Sequence, residues 1–183
     1  MSGFKNFEQI ELHTERLILR PFKESDVDDL YEYAKVEGVG EMAGWPHHKS
    51  IEESKEILKM LMEPKHNFAI VHKQDNKVIG SLGLKEENEF LEEMKDLKTR
   101  EIGYVISKAY WGKGYAAEAA KKAIAFAFEK LDIEALIVHH DIENTQSKRV
   151  AEKLGFTYVR ESIHHSLVLG TETKSRAYIL YKY

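Results

Sequence analysis

Cysteine is absent from the 183-residue sequence, and this absence excludes several kinds of chemistry at once. Without a thiol there is no disulfide, no thiolate–metal site and no cysteine nucleophile. The chain also lacks any apolar run near the roughly 20 residues that a membrane-spanning helix needs. Its first residues, MSGFKNFEQIELHTERL, show neither an apolar export signal nor an arginine-rich transit pattern. We therefore expect a cytoplasmic protein with no membrane partner.

An excess of positive charge is missing as well. The sequence has 27 Lys and Arg against 31 Asp and Glu, which gives a formal net charge of −4 and a pI near 6.2. Dedicated nucleic-acid binders usually carry a strongly basic domain or stripe. We expect no nucleic-acid partner, and any phosphate group must be held by a local feature of the chain.

No internal repeat and no linker-like stretch divides the chain, so the sequence predicts one domain over residues 1–183, with 1–13 as an N-terminal extension. The charged segment 85–99 reads as an exposed excursion between strands. Helical patterns fall mainly between strand patterns, which predicts an α/β (α+β) fold with a partly antiparallel sheet. Strands are expected at 16–22, 67–73, 78–84, 100–107, 135–141, 156–169 and 176–183, and helices at 24–35, 49–63, 114–130 and 144–154.

The stretch AYWGKGYAAEAAKK, which begins at Ala109, places two glycines immediately before a helix. The start of a helix leaves backbone N–H groups without partners and carries a partial positive charge. Gly112 and Gly114 would let a ligand approach the backbone closely, and Ala116 and Ala117 keep the first turn slim. The stretch therefore predicts a binding site for a diphosphate group.

The pattern leaves the kind of diphosphate open. A Walker loop needs Ser or Thr after its lysine, whereas Lys113 is followed by Gly114. A dinucleotide fingerprint fits the spacing of Gly112, Gly114 and Ala117, but such a loop normally opens the first strand–helix unit of a fold, and this one follows several strands. A tight structural turn without a ligand stays an equal alternative.

Two segments together carry a family likeness. EIGYVISKAYWGKGYAAEA and NTQSKRVAEKLGF resemble the GNAT superfamily of N-acetyltransferases, and TERLILRPFKESDVDDLYEY extends the likeness to its RimJ/RimL (ribosomal-protein-alanine acetyltransferase) branch over residues 14–182. The superfamily's pyrophosphate pattern begins with Gln or Arg, where this chain has Trp111, as is usual in that branch. The resemblance implies a central, mostly antiparallel sheet of six to seven strands flanked by about four helices.

The same resemblance implies acetyl-coenzyme A as cosubstrate. Its pyrophosphate would lie on the backbone of Gly112, Lys113, Gly114, Tyr115, Ala116 and Ala117. Its pantetheine arm would meet the main chain of Tyr104, Val105 and Ile106, and Asn144 at the start of the next helix, although Asn144 is equally a plain helix cap. Gly103 in a β-branched strand suggests a bulge or a close approach that frees backbone groups, and a freed N–H near Ile106 would suit the thioester oxyanion.

Two catalytic residues are expected from the resemblance. Many superfamily members protonate the departing thiolate with a tyrosine, but the matching position here is Ala151. In the RimJ/RimL branch the partner of the thiol is a serine instead, and the matching residue here is Ser147, on the inward-facing side of the same helix. Glu101 is the first candidate for the general base, although it could instead be a salt-bridge residue at the strand edge. Glu161 is held in reserve, because its local register does not match the branch cleanly. Glu118, which is typical of the branch, would orient structure.

The nine histidines do not predict a metal site, because the adjacent pairs in strands point to opposite faces. From the resemblance we expect an N-acetyltransferase that transfers acetyl directly to a small-molecule amine or a protein N-terminus, as a monomer or homodimer and without a metal. The alternatives are a non-catalytic acyl-coenzyme A sensor or scaffold, and a nucleotide-dependent enzyme that uses the glycine loop.

Overall fold

The computed structural model describes residues 7–63, 66–86, 94–166 and 170–183. Eight strands in these ranges form one open sheet in the order β1-β2-β3-β4-β5-β6-β8-β7, in which only β5 and β6 run parallel. The strands are β1 Leu12–His13, β2 Leu17–Arg20, β3 Asn67–His72, β4 Lys77–Lys85, β5 Thr99–Ile106, β6 Ala135–Asp141, β7 Thr157–Ser166 and β8 Thr171–Tyr181. The predicted mixed, mostly antiparallel fold is confirmed. The strand beyond the expected seven is β1, whose two residues are too few to give a hydrophobic pattern.

Four α-helices lie within the described ranges: α1 Val27–Ala34, α2 Ile51–Leu61, α3 Tyr115–Lys130 and α4 Thr145–Lys153. The Ser50 hydroxyl caps α2 by accepting from the Glu53 N–H, and Gly155 follows α4 with a φ of 87°. None of the described helices combines the length and apolar character needed to cross a bilayer.

The two faces of the sheet are covered by different helices. One core cluster joins α3 to the strands, and its members include Leu82, Ile102 and Ile106. A second cluster joins α1 and α2 to the opposite face. Side chains of β5 alternate between them, since Ile102 and Ile106 belong to the first cluster while Val105 packs against the second.

The parallel pair β5–β6 is paired over only three positions. The register runs from Thr99 opposite Ala135 to Glu101 opposite Ile137 and then stops. Beyond Glu101, β5 keeps β4 as a neighbour, and no strand of the described residues is paired with its other edge. The sheet therefore opens into a gap between the carboxyl ends of β5 and β6.

The bulge predicted at Gly103 is wrong. β5 runs in uninterrupted register with β4, with Gly103 directly opposite Gly83. Backbone groups of β5 lose their partners because β6 diverges, and no extra residue is inserted. Since the Ser107 N–H donates to the Ile79 carbonyl at 2.7 Å, antiparallel alternation directs the N–H groups of Ile106 and Tyr104 away from β4, into the gap.

Two parts of the chain flank the sheet in ways that the sequence does not indicate. Phe7, within the predicted N-terminal extension, is buried and stacks on Phe68 at 5.0 Å between ring centroids. In the charged segment expected to be exposed, Met94 is 1% exposed and packs with Ile137 and Ile179, so that expectation fails there. Residues 87–93 of the segment lie outside the described residues.

The close approach of α3 to the sheet depends on small side chains. Ala120, Ala123 and Ala127 are completely buried in the first cluster. We expect Ala123→Leu to lower the free energy of unfolding by about 1–3 kcal/mol, because the added atoms must displace close-packed neighbours. Urea denaturation measures this change. The exposed neighbour Lys122, changed to Leu, is the control; equal stabilities of the two variants would contradict the packing.

Candidate functional site

The loop that enters α3 presents an array of unused backbone donors. Gly112 and Gly114 both have positive φ, 74° and 81°, and Gly114 is the N-cap of α3 without a side-chain cap. The first α3 backbone hydrogen bond runs from the Glu118 N–H to the Gly114 carbonyl. Among the described residues none accepts from the N–H groups of residues 112–117. Six consecutive amides at a helix start can therefore bind an anion.

Glu118 holds this loop against β2. Its carboxylate accepts from the Thr14 hydroxyl at 2.5 Å, from the Arg16 N–H at 2.9 Å and from Arg16 Nε at 2.7 Å. Arg16 also donates through Nη1 to the Lys113 carbonyl at 3.0 Å. Burial alone would raise the pKa of Glu118, but hydrogen bonds from Thr14 and Arg16, together with the charge of Arg16, outweigh it and lower that pKa. The prediction that Glu118 orients structure agrees with these contacts.

Two aromatic side chains fix the ends of the loop. The Trp111 indole N–H donates to the Ile106 carbonyl at 2.7 Å, which joins the loop to the end of β5. The Tyr115 hydroxyl is 2.8 Å from Nε2 of the buried His72, and the Arg16 guanidinium lies 4.3 Å from the centre of the Tyr115 ring. The donor array consequently has a fixed position relative to the open edge of β5.

One cleft of about 430 Å³ joins the open edge of β5, the loop and the start of α4. Most of the sequence-predicted residues line it. These are Tyr104, Val105, Ile106, Gly112, Gly114, Tyr115, Ala116, Ala117, Asn144 and Ser147. Two others are not among the lining residues, namely Lys113, whose carbonyl binds Arg16, and Glu101.

Asn144 has two roles at the start of α4. Its side-chain oxygen accepts from the Ser147 N–H at 3.0 Å, so the capping role that the sequence indicates is present. Its side-chain nitrogen donates to the Met42 carbonyl at 3.2 Å. Met42 and Ala43 belong to a short 3₁₀ turn, Glu41–Ala43, that contacts β5 and β6 and forms the opposite wall of the cleft.

That opposite wall is braced by Glu41. The carboxylate accepts from the backbone N–H groups of Gly38 and His47 and lies 2.8 Å from His47 Nδ1. Burial alone would raise the pKa of Glu41, but these hydrogen bonds outweigh it and lower the pKa to about 2. A fixed turn thus faces α4 across the gap.

Glu101 lies at the point where β5 and β6 separate. It shares a face of β5 with Val105, opposite to Tyr104 and Ile106. Its carboxylate is 3.7 Å from Nδ1 of His139 on β6. A group at this position would be reached from the face of the sheet opposite to α3.

The comparisons with known proteins agree with this geometry. A family model described as the acetyltransferase (GNAT) domain matches residues 16–157. The chain belongs to the GNAT family of acetyltransferases.

Individual relatives place this acetyltransferase within the family. It is 30% identical to the uncharacterized N-acetyltransferase p20 of Bacillus licheniformis over 152 residues, which cover 79% of this chain and 81% of that protein. A GNAT acetyltransferase from Bacillus anthracis superposes with a TM-score of 0.76 at 24% identity, over 94% of this chain and 98% of that one. RimL, a ribosomal L7/L12 α-N-protein acetyltransferase solved with coenzyme A, superposes with a TM-score of 0.75 at 19% identity, over 94% of this chain and 98% of that one. At these identities the two structures show a shared fold.

Sequence reasoning missed several residues of the site. Arg16 and Thr14 lie about a hundred positions before the loop that they brace, and no local pattern links them to it. The Glu41–Ala43 turn has no distinctive spacing. Arg149 and Lys153, one turn apart on α4, also line the cleft and bring positive charge to it; the periodicity of α4 could have indicated them.

The lowered pKa of Glu118 makes an acid-stability prediction. A carboxyl group whose folded pKa lies below its unfolded value stabilises the protein above the unfolded pKa, and this contribution is lost as pH falls through the folded pKa. We expect the wild type to lose free energy of unfolding between about pH 6 and pH 3 more steeply than Glu118→Gln. Urea unfolding across this range measures both slopes. Parallel profiles would show that Glu118 does not bind Thr14 and Arg16 in solution.

Proposed function

We propose that this acetyltransferase moves the acetyl group of acetyl-coenzyme A directly to a primary amine, either a protein N-terminal α-amino group or a small-molecule amine. The observation that carries the proposal is the run of unpartnered amides at residues 112–117, beside the open edge of β5. A pyrophosphate can bind the unpartnered amides, and an extended pantetheine chain can lie along the open edge of β5. RimL, which shares the fold, was solved with coenzyme A.

The reaction needs a donor for the thioester oxygen. In the proposed complex the pyrophosphate binds the amides of Gly112 to Ala117, and the pantetheine arm runs along Tyr104 to Ile106. The Ile106 N–H, directed into the gap, then donates to the carbonyl oxygen as negative charge develops in the tetrahedral intermediate. One such fixed donor contributes up to about 3–4 kcal/mol to transition-state stabilisation.

The acceptor amine enters from the face of the sheet that carries Glu101. An N-terminal α-amino group has a pKa of about 7.7–8.0 and a lysine side chain about 10.4, so the terminal amine is far more often neutral near pH 7. A modest base therefore suffices for an N-terminus. Glu101, beside His139, takes this role in the proposal. Ser147, across the cleft, is the partner of the departing thiol.

Binding of the cofactor is tested at the glycine loop. A residue with a side chain in the left-handed conformation raises the conformational free energy by roughly 1–2 kcal/mol. If the loop shifts to relieve this strain, it also loses hydrogen bonds to the pyrophosphate. We expect Gly112→Ala to raise the dissociation constant for acetyl-coenzyme A at least about tenfold in calorimetry.

Gly170→Ala is the matched control, because Gly170 also has positive φ, 63°, and open surroundings, but lies in the turn before β8. Equal weakening in both variants would contradict a phosphate site at the loop. Tighter binding of NAD or ATP than of acetyl-coenzyme A would instead support a nucleotide-dependent enzyme.

Catalysis is tested by thiol release with paired acceptors. One peptide has a free N-terminus and a blocked lysine, the other has the reverse, and polyamines and aminoglycosides complete the panel. We expect turnover of at least one amine, and a fall in kcat of at least about tenfold for Ser147→Ala and for Glu101→Gln. Tight binding of acetyl-coenzyme A with no turnover of any amine would favour the sensor or scaffold. An unchanged rate in either variant would show that the substituted residue has no catalytic role, but it would not contradict the enzymatic activity itself.

A further inference from the structure

The Tyr104 side chain crosses the cleft near the place where the thioester would lie. Tyr104 is on the part of β5 that has lost its β6 neighbour, and its hydroxyl lies 3.4 Å from the Ser147 carbonyl on α4. Both residues line the cleft. The phenol thus spans the gap between β5 and α4, in the cleft that Ile106 also lines.

The Tyr104 hydroxyl is only loosely engaged. Hydrogen bonds between two oxygens normally measure about 2.5–3.0 Å, so its contact with the Ser147 carbonyl is long and weak. By contrast, the Tyr110 hydroxyl, at the mouth of the loop, donates to Asp75 at 2.5 Å. A phenol that is held in place by its packed ring but weakly bonded at its oxygen can turn its proton towards a new acceptor at small cost.

At the position on α4 where many family members have a tyrosine as the acid, this chain has Ala151. Ala151 is 1% exposed and belongs to the core. Resting on the proposed function, we propose that the Tyr104 hydroxyl is a catalytic group that donates its proton to the departing sulfur of coenzyme A. It supplies from β5 the phenol that α4 lacks, with Ser147 beside it.

The step balances without another reagent. The amine nitrogen bonds to the acetyl carbon, the carbon–sulfur bond breaks, and its electron pair leaves on sulfur. Glu101 has already taken one proton from the ammonium form of the amine before attack and releases it to solvent. Sulfur accepts the phenol proton, and the second proton, which the nitrogen loses after attack, returns to the phenol oxygen through the Ser147 hydroxyl or a water molecule. The products are the amide and the free thiol, and Tyr104 ends in its starting state.

The environment of the phenol keeps it protonated. Burial, partly offset by Ser147, raises the pKa of Tyr104 to about 12. The phenol therefore stays protonated from about pH 8 to pH 11, a range in which an N-terminal amine is already largely neutral. A thiol has a lower pKa than this phenol, about 8.5 for cysteine, so a phenolate does not accumulate. The proton transfer from the phenol to sulfur is therefore coupled to the return of a proton from nitrogen to the phenol oxygen.

The test is Tyr104→Phe, which keeps the ring and removes the oxygen. We expect kcat to fall at least about tenfold, with little change in the KM for acetyl-coenzyme A. The loss should shrink with the acetyl-selenium analogue of the cofactor, whose leaving group is a weaker base. Tyr33→Phe, which removes another buried hydroxyl, one that does not line the cleft, is the matched control for general destabilisation and should keep the wild-type kcat.

A second measurement needs no acceptor. Free coenzyme A is bound to each protein, and ionisation of its thiol is followed by ultraviolet absorbance across pH. A donor to the thiolate lowers the thiol pKa, so the bound thiol should ionise at higher pH in Tyr104→Phe than in the wild type. Identical thiol titrations, or equal losses of kcat with both leaving groups, would overturn the role of Tyr104. Wild-type protein that binds the cofactor but acetylates no amine would instead overturn the proposed function.

Discussion

The early separation of β5 from β6 is the constraint on which the rest of the site depends. Two parallel strands that stayed paired to their ends would use the N–H groups of Tyr104 and Ile106 in a ladder, and no cleft would exist. Because pairing ends at Glu101 and Ile137, β5 has an edge that lies in the interior of the sheet yet faces the cleft. An extended chain can occupy it as a strand would.

The second requirement is a fixed distance between that edge and the donor array of α3. The Trp111 indole joins the loop to the Ile106 carbonyl, and the Arg16–Glu118 pair anchors it to β2. In the proposed complex, the pyrophosphate and the thioester of one ligand are thereby positioned by the same short segment, 106–118. Preorganised donors of this kind need no rearrangement when charge develops.

The sequence predicted the fold and much of the cleft because the signals are local. The two glycines before an alanine-rich helix, and Asn144 before α4, are read within a few residues of one another. Arg16, Thr14 and the Glu41–Ala43 turn could not be predicted, since tertiary contacts alone bring them to the site. The bulge expected at Gly103 is wrong for the same reason. The backbone groups of β5 lack partners because β6 turns away from β5, and the residue pattern of β5 carries no information on the path of β6.

A crystal structure of the protein with acetyl-coenzyme A tests the central claim most directly. The account predicts pyrophosphate oxygens within hydrogen-bond distance of the N–H groups of residues 112–117, and the thioester oxygen about 3 Å from the Ile106 nitrogen. Absence of the cofactor from this cleft at saturating concentration, or a pyrophosphate bound elsewhere, would contradict it.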